Sequence, residues 1–172
     1  MSDSLTVSFG SLHSGPVRRA WRLEDPAELL GSLPADLEAV ELEVEVVGTM
    51  REGVRARGRV RSTVNCTCRR CLAALQIPLD AAFDAWFRAE PEVTAGEDGI
   101  WGVSEKAAEI DLAPAVREEV LLGIPAYPVC AVDCAGLCPT CGVRLADEEC
   151  TCPPPGPDPR WAALTELASD EE

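Results

Sequence analysis

Cysteines are the residues of this chain whose spacing most clearly points to chemistry. Six of the nine lie in the sequence CAVDCAGLCPTCGVRLADEECTC, which ends at Cys152. Cys138 and Cys141 form a Cys-X-X-Cys pair followed by Gly142, a turn that lets two thiolates face one tetrahedral ion. Cys150 and Cys152 follow as a Cys-X-Cys pair. We predict that these two pairs hold one zinc ion.

A second set of four sulfur ligands requires cysteines that are distant in sequence. Cys130 and Cys134 remain after the first assignment, and the upstream sequence CTCRRC supplies Cys68 and Cys71. These four residues would bind a second zinc ion if the fold brings the two pairs together. Cys66 is left over. The sequence therefore predicts one or two zinc ions.

Disulfides and redox chemistry are the alternative uses of these cysteines. The N-terminal sequence MSDSLTVSFGSLHSG has no basic start followed by an apolar run, so nothing in it directs export. In a reducing cytoplasm, Cys-X-X-Cys pairs more often bind metal or carry redox chemistry than form structural disulfides. We expect a cytoplasmic protein, and a redox-switched or zinc-handling protein is one alternative function.

Composition and charge restrict the partners. The chain has 172 residues, of which 47% are hydrophobic, enough for one domain with an appendage. No apolar run approaches the roughly 20 residues that cross a bilayer, so we expect no membrane partner. The net charge is −15. Eight zinc-bound thiolates and two zinc ions would make the molecule still more acidic. Such a protein repels nucleic acid at long range and attracts basic proteins.

Alternating residues predict the sheet that positions the upstream cysteines. Residues 40–46 alternate apolar side chains with glutamates, and residues 54–61 alternate small or apolar side chains with arginines after a glycine-bounded turn. This pattern predicts an antiparallel hairpin with one buried and one charged face. Residues 75–87 continue the alternation as a third strand. CTCRRC is thus expected at the turn between the second and third strands.

A basic stripe lies in this otherwise acidic chain. Seven arginines lie between Arg51 and Arg70, against the single acid Glu52. Cross-strand ion pairs with the glutamates of the preceding strand are one interpretation. Contact with RNA phosphates is the other. The RNA-contact candidates are Arg55, Arg57, Arg59, Arg61, Arg69 and Arg70.

Helical spacing and proline content organise the rest of the chain. Residues 111–122 are predicted to form a helix that leads to the cysteine-rich segment. A proline-rich spacer follows Cys152, and a short helix is expected from Asp158. We predict an α+β fold: an antiparallel sheet body with a few short helices over residues 1–128, a C-terminal zinc knuckle over 129–153, and a linker with a short helix over 154–172.

Four motifs together resemble the YceD family, the large-subunit ribosomal RNA accumulation proteins, in its actinobacterial form. They are CRRCL, DLAPAVREEVLLGIPAYPVC, CAVDCAGLCPTCGVRL and DPRWAAL. The resemblance implies a bacterial cytoplasmic protein that is needed for normal build-up of large-subunit rRNA, with no known catalytic activity. The gene in this family commonly lies beside that of a small zinc-ribbon protein of the large ribosomal subunit. Cys66 departs from the family pattern.

The leading hypothesis is a non-enzymatic ribosome-biogenesis factor that is stabilised by zinc. It would support accumulation of 23S rRNA by binding large-subunit rRNA or the pre-ribosome, a basic ribosomal protein, or both. His13 is the only histidine, and no acid and base pair stands out among the carboxylates. A protein-interaction adaptor without RNA contact is the second alternative.

Overall fold

The structure is a computed structural model that describes residues 4–33, 35–49, 51–89, 99–104, 106–153, 156, 158 and 160. The described residues form an α+β fold with mostly antiparallel strands, as predicted. Their elements in chain order are β1 (Thr6–Ser8), α1 (Phe9–Leu12), β2 (Val17–Leu23), α2 (Pro26–Leu30), β3 (Asp36–Leu37), β4 (Val40–Thr49), β5 (Gly53–Thr67), β6 (Ala74–Ala89), β7 (Ile100–Val103), β8 (Glu109–Asp111) and α3 (Ala113–Gly123).

The main sheet runs in the order β2-β4-β5-β6-β7, and β3 adds to β5. The hairpin of β4 and β5 is confirmed, because Glu41 lies opposite Arg61 and Glu45 opposite Arg57. Apolar residues of both strands face the core, and the charged residues between them face outward. At its turn, a Cβ atom on Gly48 would lie 2.2 Å from a backbone oxygen, so only glycine fits there.

The hairpin of β5 and β6 is the longest feature of the sheet. Its register extends from Val54 opposite Phe87 to Thr67 opposite Ala74. The cysteines of CRRC therefore lie in the turn between these strands, as the alternation predicted. β7 pairs with β6 in parallel, which the sequence did not predict.

The core lies on the inward face of the sheet. Apolar side chains of β4, β5 and β6 form it together with Ala115, Val116 and Val120 of α3. The predicted helix begins at Ala113, whose N–H bonds to the Asp111 carboxylate at 2.9 Å. Within the described residues, no helix is both long and apolar enough to cross a membrane.

Contacts between residues divide the chain into two units. The larger unit comprises the described residues up to Cys68 and those from Ala73 to Pro128. The smaller unit comprises Arg69–Leu72 and the described residues from Val129 onward. The turn between β5 and β6 thus belongs to the same unit as the cysteine-rich segment. The predicted C-terminal helix lies outside the described residues.

Candidate metal centres

The C-terminal cluster consists of Cys138, Cys141, Cys150 and Cys152. One sulfur from each residue lies within 4.8 Å of the other three. Two of these contacts are shorter: Cys150 Sγ lies 3.3 Å from Cys138 Sγ and 3.6 Å from Cys141 Sγ. The structure thus brings together the four sulfurs that the sequence assigned to the first zinc site.

Backbone N–H groups lower the pKa of one thiol in this cluster, which favours binding of a cation. The N–H groups of Cys141 and Thr140 point at Cys138 Sγ, and they lower the pKa of that thiol to about 6. The Thr140 nitrogen lies 3.4 Å from this sulfur. In contrast, bonds with the side chains of Cys141 and Cys150 raise the pKa of Cys152 to about 12. Four thiolates so close together repel one another, and a divalent cation removes that repulsion.

The long-range cluster consists of Cys68, Cys71, Cys130 and Cys134. Their sulfurs also lie within 4.8 Å of one another, and Cys71 Sγ lies 3.6 Å from Cys130 Sγ. Three of the four residues belong to the smaller unit, and Cys68 directly precedes its first residue, Arg69. The fold therefore brings together two cysteine pairs that are far apart in sequence, as this set of ligands requires.

Both clusters fit a tetrahedral zinc ion. With Zn–S bonds of about 2.3 Å, neighbouring sulfurs of a ZnS₄ unit lie about 3.8 Å apart. The observed sulfur distances of 3.3 and 3.6 Å are close to that value. These distances are well above the roughly 2.05 Å of a disulfide bond. Four thiolates in tetrahedral geometry are a ligand set that suits zinc.

The two Cys-X-X-Cys turns share one backbone geometry. The Cys68 N–H donates to the Ala73 carbonyl at 2.8 Å, and the Cys138 N–H donates to the Val143 carbonyl at 2.8 Å. The residue after each second cysteine has a positive φ, 59° at Leu72 and 75° at Gly142. Each turn therefore has the backbone geometry expected of a Cys-X-X-Cys metal-binding turn, although only the second has the expected glycine.

Two arginines hold the smaller unit together. Arg70 Nη1 donates to the carbonyls of Val132 and Cys134 at 3.1 and 3.2 Å. Arg144 Nε donates to the Cys71 carbonyl at 3.2 Å. Guanidinium groups can bond several carbonyls at once, so these side chains join loops that carry the cysteines. This role of Arg144 was not predicted, since no local pattern marks a side chain that bonds a distant carbonyl.

Cys66 lies in neither cluster. It belongs to β5, opposite Leu75 of β6, and its partly buried side chain packs against the core. Unpaired cysteine behaves as a small apolar residue in such a position. Packing is therefore the role that the structure gives to Cys66.

The arginines of β5 lie between two rows of acids. Arg57 pairs with Glu45 at 3.7 Å, and Arg61 pairs with Glu43 at 3.5 Å, both on β4. On the other side, β6 supplies two aspartates that the sequence interpretation did not consider. Arg55 makes two bonds to Asp84, at 2.8 and 2.6 Å, and Arg59 bonds Asp80 at 2.8 Å.

These bonds have an electrostatic consequence for the aspartates. The bond from Arg55 lowers the pKa of Asp84, and the bond from Arg59 lowers the pKa of Asp80. Asp80 and Asp84 lie at the outward positions of β6, as strand alternation would have shown. Four of the six RNA-contact candidates are thus ion-paired within the sheet. The other two, Arg69 and Arg70, lie in the smaller unit.

Comparison with known proteins gives one family. Residues 56–168 match the profile of the family described as "Large ribosomal RNA subunit accumulation protein YceD". The matched segment includes all nine cysteines and most of the main sheet.

Mycobacterial proteins are similar over most of the chain. An uncharacterized protein of Mycobacterium tuberculosis strain H37Rv is 35% identical over 152 residues, which cover 84% of this chain and 68% of that protein. A Mycobacterium bovis protein matches to the same extent, and one from Mycobacterium leprae is 33% identical over 140 residues, 77% of this chain and 59% of that protein. No solved structure gives a significant match.

Proposed function

Because the chain belongs to the YceD family of large ribosomal RNA subunit accumulation proteins, we propose that it is a zinc-stabilised, non-enzymatic ribosome-biogenesis factor. The family description supports a role in the accumulation of large-subunit rRNA. The observation that supports zinc binding is that eight cysteine sulfurs lie in two sets of four. A cytoplasmic location follows from the same role.

The two zinc ions would be structural. A zinc site with four cysteine ligands has no open position for water or substrate, unlike the three-ligand sites of zinc enzymes. The described residues of the smaller unit form none of the named helices or strands and contribute no side chain to the apolar core, so metal binding would supply much of its folding free energy. The only histidine, His13, donates its Nδ1–H to the Phe9 carbonyl at 3.0 Å in an exposed turn, which favours a non-catalytic role.

We place the main contact of this factor on a basic protein of the large subunit. The net charge of −15 attracts such a protein and repels RNA at long range. An RNA contact through β5 would have to replace ion pairs that Arg55 and Arg59 already make with β6. These ion pairs therefore favour contact with a basic protein over contact with RNA.

Genetic complementation tests the proposed role. Deletion of the gene in its own bacterium should lower the ratio of large- to small-subunit rRNA, and the wild-type chain should restore it. The Cys138→Ser variant should restore it poorly, whereas a Cys66→Ser variant serves as the matched cysteine control. An unchanged rRNA ratio after deletion would contradict the proposed function.

RNA binding by the candidate arginines has its own test. A gel-shift assay with large-subunit rRNA fragments would compare the wild type with Arg55→Gln, Arg57→Gln and Arg59→Gln combined, and separately with Arg69→Gln. We expect little change in either variant. Arg70 is left unchanged because its bonds to Val132 and Cys134 are structural. A loss of RNA affinity with the fold intact would establish RNA contact and reject the adaptor interpretation.

A further inference from the structure

An apolar groove with an acidic rim lies on the larger unit. It has a volume of about 400 Å³ and is bounded by β6, β7 and α3. The residues that line it are Phe83, Asp84, Ala85, Gly99, Trp101, Ala115, Glu118, Glu119 and Leu122.

Trp101 and Leu122 form the apolar part of the groove. Trp101 belongs to β7, opposite Phe87 of β6, and is only partly buried, so one part of its indole ring faces outward. Leu122, near the end of α3, has 75% of its surface exposed. Exposed leucine beside an accessible tryptophan is a surface on which a long aliphatic side chain can pack.

The charged part of the groove is negative. Asp84 is paired with Arg55 through two bonds, which leaves Glu118 and Glu119 as the acids without an ion pair among the residues that line the groove. Partial burial, the Glu118 charge and the Asp84 charge together raise the pKa of Glu119. A cation that enters the groove would relieve this repulsion.

We propose that this groove binds a lysine or arginine side chain from a basic protein segment. The aliphatic stem would pack against Trp101 and Leu122, and the cation would lie beside the carboxylates of Glu118 and Glu119. Attraction between a cation and an indole ring would add to the binding. The inference rests on the proposed function, because a basic protein of the large subunit is the partner that carries such a segment.

Nucleic acid does not suit the same surface. Its phosphates would meet two carboxylates and, among the lining residues, no basic side chain. A neutral apolar peptide would cover Glu118 and Glu119 without a partner for their charges, which is unfavourable. Charge complementarity therefore selects a basic occupant.

Fluorescence anisotropy with a labelled peptide tests this assignment. The probe is a fluorescein-labelled peptide of twelve residues with alternating lysine and serine, added to the zinc-loaded full-length chain at about 0.15 M salt. The groove variant is Glu118→Gln combined with Glu119→Gln. The matched control is Glu148→Gln with Glu149→Gln, which removes the same charge from two adjacent exposed residues of the smaller unit.

We expect the groove variant to bind the peptide about tenfold more weakly than the wild type, and the control to change by less than about twofold. Trp101→Phe, which retains a ring but reduces cation attraction, should weaken binding by about threefold. Equal weakening by the groove and control variants would mean that the peptide senses only net charge, and it would overturn the proposal.

The rRNA ratio separates this inference from the proposed function. If the chain supports large-subunit rRNA accumulation but the groove variant binds the peptide as tightly as the wild type, the groove assignment fails and the function stands. If the groove variant loses peptide binding but deletion of the gene leaves the rRNA ratio unchanged, the groove assignment stands and the function fails.

Discussion

The turns at residues 68–73 and 138–143 have the same backbone geometry but depend on different parts of the molecule. The first lies at the end of the long hairpin of β5 and β6, and its cysteines are buried, with 0% and 2% exposure. The second lies in a segment without helices or strands, and Cys141 is exposed. We expect the sheet to form the first turn before any metal ion binds, and the second turn to depend on the metal ion.

Ligand spacing shows the same contrast. The C-terminal cluster draws all its ligands from residues 138–152, so it can assemble locally. The long-range cluster must first bring Cys130 to Cys71, a step that requires a folded sheet and chain closure. A short segment can therefore replace a missing core with a metal ion, while a long-range site adds a metal ion to a fold that already exists.

Removal of one ligand from each cluster should have the largest effect. We expect protein purified under reducing conditions to contain two zinc ions, and Cys68→Ser and Cys138→Ser each to contain one, as measured by mass spectrometry of the metal. Structural zinc sites contribute on the order of 10 kcal/mol, so loss of one ligand is not compensated locally. Cys66→Ser should retain both ions. A single ion in the wild type, lost only with Cys138, would remove the long-range site.

Chelation should distinguish the two clusters by rate. In excess chelator we expect the C-terminal cluster to lose zinc first, because Cys141 is exposed and Cys150 and Cys152 are half-buried, whereas Cys68 and Cys71 are buried. A chromogenic zinc indicator should record two phases, and Cys138→Ser should lack the fast phase. One phase, or a fast phase that disappears with Cys68→Ser instead, would contradict this order.

Substitution of Leu72 or Gly142, the residues that follow the second cysteine of each turn, should have a smaller effect. Gly142→Leu should destabilise the C-terminal cluster by about 1–2 kcal/mol, because a side chain in the left-handed region is strained. No atom lies within 4 Å of the position of the new Cβ, so backbone conformation alone would be responsible. Leu72→Gly should leave zinc affinity equal or slightly higher. Zinc competition titrations of both variants would show whether Leu72 is strained or is held by contacts.

The smallest effect should come from the aspartates of the sheet on acidification, and it requires zinc-free protein because acid also releases zinc from thiolates. The pKa values of Asp80 and Asp84 are lowered in the folded state, so their contribution is present above the unfolded pKa near 4 and is lost as pH falls below it. Both pairs are exposed to solvent, so the change is small. Urea denaturation of the zinc-free chain between pH 5 and 3 would show it, and Asp84→Asn should flatten the decline. Asp133→Asn, an exposed residue of the smaller unit, is the control.

Strand alternation predicted most of the sheet because one face is apolar and the other charged. Val40 to Val46 and Val54 to Val60 follow that rule closely, and their register placed CRRC at a turn. β7 was not predicted because the residues around Trp101 are rich in glycine and polar side chains. Its pairing with β6 is parallel and depends on tertiary contacts.

Cysteine spacing predicted which sulfurs the fold brings together, because ligand sets have fixed local patterns. Metal binding by them remains a prediction. The bonds of Arg70 and Arg144 to carbonyls could not be read from spacing, since they join loops that only the folded unit brings together. The groove could not be predicted for the same reason, because Trp101 and Glu118 become neighbours only after α3 packs on the sheet.

The strand β2 has a consequence for self-association. It lies at one end of the main sheet, where its outer backbone groups form an edge on which a second copy could add a strand. This strand reads VRRAWRL, so antiparallel pairing of two copies would bring the arginines of both molecules together along the new interface. Arg18 and Arg22 are already paired with Glu45 and Glu41, so Arg19 of each copy supplies the repulsion that would oppose edge-to-edge aggregation.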